Sequence, residues 1–422
     1  MTSTRAFTNW GGNLTYRASG LERPASLDAL RRAVTSHAQV AALGTRHSFS
    51  AVADTGGTHI SLDAMPARVE IDSARSVARV PAGLTYAQVS VALDGAGFAL
   101  ANLASLPHIS VGGAVQTGTH GSGVRNSSLA AAVTGMEIVR ADGETETVTA
   151  SGRLDAHRVA LGALGVVTSV DLAVQPRYEV AQWVHVGLPW DAAEEHFDAI
   201  MGAAYSVSMF TRFLPEGVLQ VCTKRRTDED GALVPLASLE RLGARAADGP
   251  VHPVPGGDPL AVTEQGGVPG PWYERLPHFR SSFTPSAGAE IQCEYLLPAG
   301  RAVEAIEALR SVGDRLAPVL YTAEIRRVAG ETAWLAPNHE RDSVAFHFTF
   351  HRDAARVAEI LPVLDGALSG FAARPHWGKV SAMSGERLRQ VYPRLAEFAS
   401  LAERVDPTGR FRTPFLREAL GL

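Results

Sequence analysis

The chain has 422 residues, room for two or three domains at about 150 residues each. Apolar residues make up 45% and charged residues 20%, and the net charge is −5; wholesale disorder is excluded, and a sequence-independent nucleic-acid binder is disfavoured. Two cysteines, Cys222 and Cys293, allow no disulfide framework and no cysteine-type zinc site, so a reduced cytoplasm and no metal are expected.

The N-terminal stretch MTSTRAFTNW has no apolar h-region, so no signal peptide is expected, and no apolar run is long enough for a membrane span. Residues 23–34 predict a helix: Ser26 suits the N-cap, Asp28 the first turn, and Leu27, Leu30 and Val34 share a face. Strand-like runs follow at 40–43, 59–62 and 77–80. Residues 106–123, LPHISVGGAVQTGTHGSG, are rich in glycine and poor in helix formers. Residues 133–140 and 146–149 flank Ala-Asp-Gly, a hairpin signal, and 166–174 predicts another strand.

After about residue 178 the pattern changes. A strand at 181–186 leads into an amphipathic helix over 191–204. Strands around 207–213 and 219–224 are joined by Pro-Glu-Gly. Residues 249–271 are dense in Gly and Pro and read as a long irregular loop, either a linker or covered by Trp272, Leu276 and Phe279. Strand 289–296, helix 301–317, strands 319–328 and 343–351 and helix 354–369 complete a second, α+β layer. The tail from 370 holds a Trp-Gly-Lys turn and further helix.

Four stretches offer chemistry. In Leu43-Gly44-Thr45-Arg46-His47-Ser48-Phe49, successive amides in a glycine turn can cradle phosphate, although an ordinary turn with a surface histidine fits equally well. Residues 105–123 interleave two glycine clusters with Ser110, Thr117 and Thr119; glycine admits close backbone approach, and structural turns explain many such runs. Glu324 and Arg326 project on one strand face, as do His347, Thr349 and His351 opposite three phenylalanines. Those faces are either solvated or a grip for a polyhydroxylated molecule. In Arg374-Pro375-His376-Trp377-Gly378-Lys379 the lysine is either a surface group or a buried charge beside a ligand. No Gly-x-Gly-x-x-Gly, Walker A, His-Glu-x-x-His or Gly-x-Ser-x-Gly pattern supports a Rossmann, kinase or hydrolase reading.

In this order, the stretches resemble the vanillyl-alcohol-oxidase type of FAD flavoprotein. The carriers are Gly44-Thr45-Arg46-His47-Ser48, then 105–113, then Thr117-Gly118-Thr119-His120-Gly121, and Leu164-Gly165-Val166-Val167-Thr168. His376-Trp377-Gly378-Lys379 and Asp406-Pro407-Thr408-Gly409-Arg410-Phe411 are similar to motifs of its sugar and aldonolactone oxidoreductase branch. Residues 204–208, 263–265, 267–280 and 324–326 resemble the polyol-oxidising members of that branch. The resemblance covers Thr8 to about Phe415. It departs at Arg46, where many relatives have Gly; a side chain there narrows the turn but leaves His47 in place.

The resemblance implies an α+β, two-domain fold: an FAD-binding domain at 1–178, a substrate cap at 179–369, and a C-terminal segment at 370–422 that completes the active site. It implies FAD tethered through His47 to the flavin 8α-methyl. Gly44, Thr45, Arg46, Ser48, Ser105, Ser110, Gly113, Thr117, Gly118, Thr119, His120, Val167 and His376 then line the cofactor. Ser105, Glu324, Arg326, His347, Thr349 and Lys379 line the substrate, with Arg326, Lys379 and His347 catalytic. The implied reaction oxidises the primary C1 hydroxyl of an alditol such as xylitol or sorbitol to the aldose and reduces O2 to H2O2, with no nucleic-acid or membrane partner. The alternatives are an aldonolactone oxidase or dehydrogenase of the same branch and a non-catalytic sugar-binding protein.

Overall fold

The computed structural model describes residues 7–149, 151–229, 234–284 and 286–421; residues 1–6 of the N-terminal stretch lie outside the described residues. Helix Leu27–Ser36 starts as expected, with Ser26 Oγ accepting the Ala29 amide at 3.2 Å. Its buried Leu30 and Val34 share a core with Val40 and Ile60, from a parallel sheet ordered Gly20–Glu22, Thr58–Ile60, Val40–Ala42. Beside it stands an antiparallel sheet ordered Glu70–Asp72, Val77–Pro81, Val166–Ala173, Val133–Val139, Thr145–Val148.

Between these sheets and the second half runs a short helix, Val111–Gln116, where the glycine-rich sequence predicts none. Propensity is overridden by contact. A Cβ on Gly112 would stand 2.9 Å from Ala82 Cβ, and the Gly112 amide donates to the Ala82 carbonyl at 2.9 Å. Only a residue without a side chain lets the helix seat so closely.

From Glu179 onward the chain builds a nine-stranded sheet. Its order is Arg245–Ala246, Glu179–Leu188, Val218–Arg226, Ser206–Thr211, Leu320–Val328, Ser343–His351, Glu290–Pro298, Arg374–Pro375, with Gly270–Pro271 also paired to Glu179–Leu188. Period-two alternation divides its faces. Phe346, Phe348 and Phe350 are fully buried with Val207, Met209, Ile291, Tyr295 and Ile325 under helices Ala302–Arg310 and Ala354–Ala367. The intervening polar residues point to the opposite face, toward the N-terminal half.

The structure corrects several expected elements. The helix over 191–204 is two, Trp190–Glu195 and Phe197–Met201. The helix over 301–317 also breaks, ending at Arg310, and Gly313–Leu316 follows as a separate turn in which Gly313 abuts the Phe213 carbonyl. The 249–271 stretch is no linker: Gln182 Nε2 donates to the carbonyls of Thr263 at 2.9 Å and Glu264 at 2.7 Å, and Trp272, Leu276 and Phe279 are buried. The tail serves both halves. Arg374–Pro375 extends the large sheet, whereas Leu388, Phe398 and Leu416 of the last three helices join the N-terminal core. Among the described residues, no helix is long and apolar enough to cross a membrane, and no group of His, Cys, Asp and Glu is gathered as a metal site.

Candidate active site

A cavity of about 500 Å³ runs between the two halves, within the range of roughly 300–1,000 Å³ typical of small-molecule sites. Its N-terminal wall holds Gly44, Thr45, Arg46, His47, Ser48, Ser105, Ser110, Gly113, Thr117, Thr119, His120 and Val167. Its other wall holds Glu324, Arg326, His347, Thr349, His376 and Lys379. Gly118, expected among the cofactor residues, is not in the wall. It turns the chain at φ +69°, and a Cβ there would press on Pro337 and Val159 instead. His351, on the polar face of its strand, lies outside too; it is exposed, with its ring 3.7 Å from that of Tyr321.

The His47 turn is built by its neighbours. Arg46 has φ 65°, a left-handed conformation that costs a non-glycine residue of order 1 kcal/mol and explains why glycine would fit there. An N-terminal strap offsets that cost. Arg46 Nη1 donates to the Thr8 carbonyl at 3.0 Å, its guanidinium lies 4.9 Å from the Phe7 ring, and its own carbonyl accepts the Trp10 amide at 2.8 Å. His47 Nδ1 is 3.1 Å from Thr45 Oγ1, and its Nε2 is buried without a partner. Burial, and next the nearby His108, push the His47 imidazole down to about 4, so it is neutral at pH 7.

On the opposite wall, strand register sets the side chains in rows. Glu294, His347 and Glu324 are cross-strand neighbours, followed by Phe210. Gln292, Thr349 and Thr322 form the next row. Arg326 faces Ala345, whose small side chain leaves room for the guanidinium to reach across to Glu294, with which it pairs. Lys379 arrives from the tail, because the Val380 amide donates to the Gln292 carbonyl and the His376 amide to the Glu294 carbonyl. Its Nζ is 3.0 Å from Gln292 Oε1 and 3.2 Å from Glu294 Oε2.

The resulting cluster alternates in sign. Burial opposes ionisation of both carboxyls, but Lys379 and Arg326 hold Glu294, and Arg326 and His278 hold Glu324, well below the usual carboxylate range. Burial lowers the Lys379 ammonium, and Glu294 opposes that shift. Burial, and next Lys379, push His347 down to about 4. Two cations, two carboxylates and the neutral imidazoles of His347 and His278 therefore face one cavity. Such buried charges persist only when paired in good geometry.

The sequence reading missed Gln292, Glu294, Thr322, His278 and Phe210, all in the wall. The signal for three of them was present, Thr322 standing two residues before Glu324 on the same strand face. In Glu290-Ile291-Gln292-Cys293-Glu294 three polar residues alternate with apolar ones, the same period that exposed Glu324 and Arg326. His278 lies within the 267–280 stretch that carries the resemblance, but no periodicity marked it out. It stands in the covering segment, residues 249–280, where its carbonyl accepts the Thr263 amide at 3.0 Å, and places Nε2 3.0 Å from Glu324 Oε1.

The N-terminal wall fits FAD. Gly44 and Gly113 let the backbone close on Ser110, whose Oγ a Cβ at either position would strike, and hydroxyls and the buried, unpartnered His47 Nε2 line the cavity beside them. The comparisons agree. A family model described as an FAD binding domain matches residues 23–149, and one described as D-arabinono-1,4-lactone oxidase matches 288–419. The chain is 46% identical to an alditol oxidase of a Streptomyces species over 98% of its length and 99% of the relative's. It is 26% identical to an L-gulono-1,4-lactone dehydrogenase of Mycobacterium tuberculosis, over 98% and 99% of the two chains. A solved cholesterol oxidase from B. sterolicum shares the fold, with a TM-score of 0.78 at 12% identity, over 98% of this chain and 96% of that one.

Proposed function

The chain belongs to the alditol oxidase family of FAD-dependent oxidoreductases, and we propose that it oxidises the primary C1 hydroxyl of a linear polyol to the aldose, with O2 as acceptor and H2O2 as product. One observation carries this reading: Glu324, Arg326, His347, Thr349 and Lys379 stand on one wall of the cavity whose other wall fits FAD. FAD supplies the hydride acceptor when bound. His47 is the tether to its 8α-methyl, and Gly44, Thr45, Arg46, Ser48, Ser105, Ser110, Gly113, Thr117, Thr119, His120, Val167 and His376 hold it.

In this reading the chain's own groups orient and polarise. Arg326 and Lys379 flank the reacting hydroxyl, where their charge favours alkoxide over alcohol. Glu324, Thr349 and Ser105 hydrogen-bond the remaining hydroxyls and fix the carbon chain. His347 is neutral, and its buried Nε2 has no partner, so that atom is the open acceptor for the hydroxyl proton. The covering segment, with His278, keeps water from the cluster. Buried, unbridged Cys222 and Cys293 accord with a reducing, cytoplasmic setting.

The test is H2O2 release across xylitol, sorbitol, mannitol, glycerol and an aldonolactone by the purified yellow protein. The expected result is turnover of the five- and six-carbon polyols. Faster turnover of the lactone than of any polyol overturns the proposal.

A further inference from the structure

Glu294 lies at the centre of the cluster, 1% exposed, yet no motif singled it out. Its carboxylate pairs with Arg326 Nη2, lies 3.2 Å from Lys379 Nζ, and is approached by His120 Nε2 at 3.3 Å. These partners come from three separate stretches: a strand of the large sheet, the tail, and the N-terminal half. His120 Nδ1 faces the Gly121 carbonyl at 2.9 Å, so its ring is oriented from the other side. Glu324 has a different set of neighbours: His278 Nε2 at 3.0 Å, His347 Nδ1 at 3.8 Å and Arg326 Nε at 3.6 Å. Arg326 is thus shared between the carboxylates, whereas Lys379 has its ion pair with Glu294.

The geometry points to Glu294 as a positioning residue that fixes Lys379 and Arg326 as a pair and sets the charge of the site. This rests on the polyol-oxidase reading above and assigns Glu294 a part in it. Two cations that must sit side by side repel each other; a carboxylate between them removes that repulsion and dictates where each head lies. Glu294 works through those cations and is not itself assigned a contact with the substrate.

Removing its charge has a defined consequence for Lys379. The groups acting on that ammonium are Glu290 and Glu294 from the Glu290–Pro298 strand, with Cys293 behind it, His347, Glu324 and Arg326 from the neighbouring strands, and His376 from its own segment. Burial holds both histidines neutral. Of the carboxylates acting on Lys379, Glu294 comes first, and Arg326 opposes it. Without Glu294, Lys379 loses its ion-pair partner and stays buried near a guanidinium that only Glu324 now opposes, so it loses its proton at lower pH.

The experiment compares wild type, Glu294→Gln, Glu294→Asp, Lys379→Gln and the Glu294→Gln/Lys379→Gln pair as flavin-loaded proteins. In Glu294→Gln the alkaline limb of kcat/KM for xylitol should move to lower pH by about one unit, and kcat/KM should fall roughly 10²-fold, the scale of one lost electrostatic group. In the Lys379→Gln background the same change should cost only a few-fold, since part of what Glu294 holds is already gone. At pH 6, with both cations charged, the midpoint potential of the bound flavin should be higher in Glu294→Gln, because a negative charge beside the site is gone. Glu294→Asp should return the potential and the limb towards wild type while kcat/KM stays at least tenfold down.

An unmoved limb and potential in Glu294→Gln, with equal losses in both backgrounds, overturn the proposal. If Glu294→Gln does not fold, Glu294→Asp decides: undiminished kcat/KM overturns the assignment, and a tenfold fall at unchanged potential supports it. The potential is read without substrate. A wild type inert towards polyols, together with a raised potential in Glu294→Gln, therefore overturns the polyol reading and leaves the charge-setting part of Glu294 supported.

Discussion

Trp10 stacks on His47, with ring centroids 5.3 Å apart and planes within 23°. Asn9, next to it, donates from Nδ2 to the Ser48 carbonyl at 2.9 Å, so the strap grips the turn on both sides of the imidazole. A ring held this way presents its free nitrogen in one direction. We predict that flavin fluorescence stays with acid-precipitated wild type and passes to the supernatant in His47→Ala. Trp10→Ala should lower the retained fraction several-fold while leaving the circular dichroism unchanged. Flavin that washes out of precipitated wild type would rule out the tether.

Lys379 can be tested apart from cofactor retention. Its ammonium touches Gln292 and Glu294, both on the substrate wall. Lys379→Ala should slow anaerobic flavin reduction by xylitol about 10²–10³-fold, the effect of removing one charge-stabilising donor. The flavin content per chain should match wild type. A wild-type reduction rate would place the lysine outside the reacting end.

What was legible in the sequence followed from short-range rules. Ser26 announced its helix because a cap acts within three residues, and Phe346-His347-Phe348-Thr349 announced a two-faced strand because alternation is local. The helix at Val111–Gln116 was hidden because its stability comes from seating against Ala82, about 30 positions earlier, an approach local propensity cannot express. Glu294 sits in an alternating strand like Glu324, but its importance depends on Lys379 and His120 arriving from elsewhere. Gly118 shows the converse. It stands inside the right motif, yet its positive φ serves the turn and not the cavity.

The buried histidines predict acid sensitivity. Burial holds His278 and His347 at about 4 against an ordinary 6.5. Between those values the unfolded chain takes up protons that the folded chain refuses. Their contribution to stability is complete above pH 6.5 and is lost as pH falls towards 4, of order 1–3 kcal/mol for each. Glu294 and Glu324, held below the usual carboxylate range, lose theirs only at still lower pH. Urea midpoints at pH 7 and pH 5 should therefore fall for wild type and fall less for His347→Gln. Equal falls in the two proteins would mean that His347 takes up its proton in the folded state.

Substrate class turns on Glu324, which His278 orients at Oε1 while Oε2 faces Arg326 and His347. A site built for hydroxyls leaves its own polar groups unpaired when a hydroxyl is missing. Each such group costs about 1–3 kcal/mol, which is roughly 5- to 150-fold in kcat/KM. Xylitol should therefore exceed glycerol, and glycerol should exceed 1,2-propanediol. Glu324→Gln keeps the shape and loses the charged acceptor, so it should cut kcat/KM on xylitol by 10²-fold or so and narrow the gap between xylitol and the diol. Steady-state H2O2 production by both proteins on the three substrates reads this directly. Equal efficiency of the wild type on all three would show that Glu324, with Thr349 and Ser105, does not read hydroxyls, and the polyol assignment would fall with it.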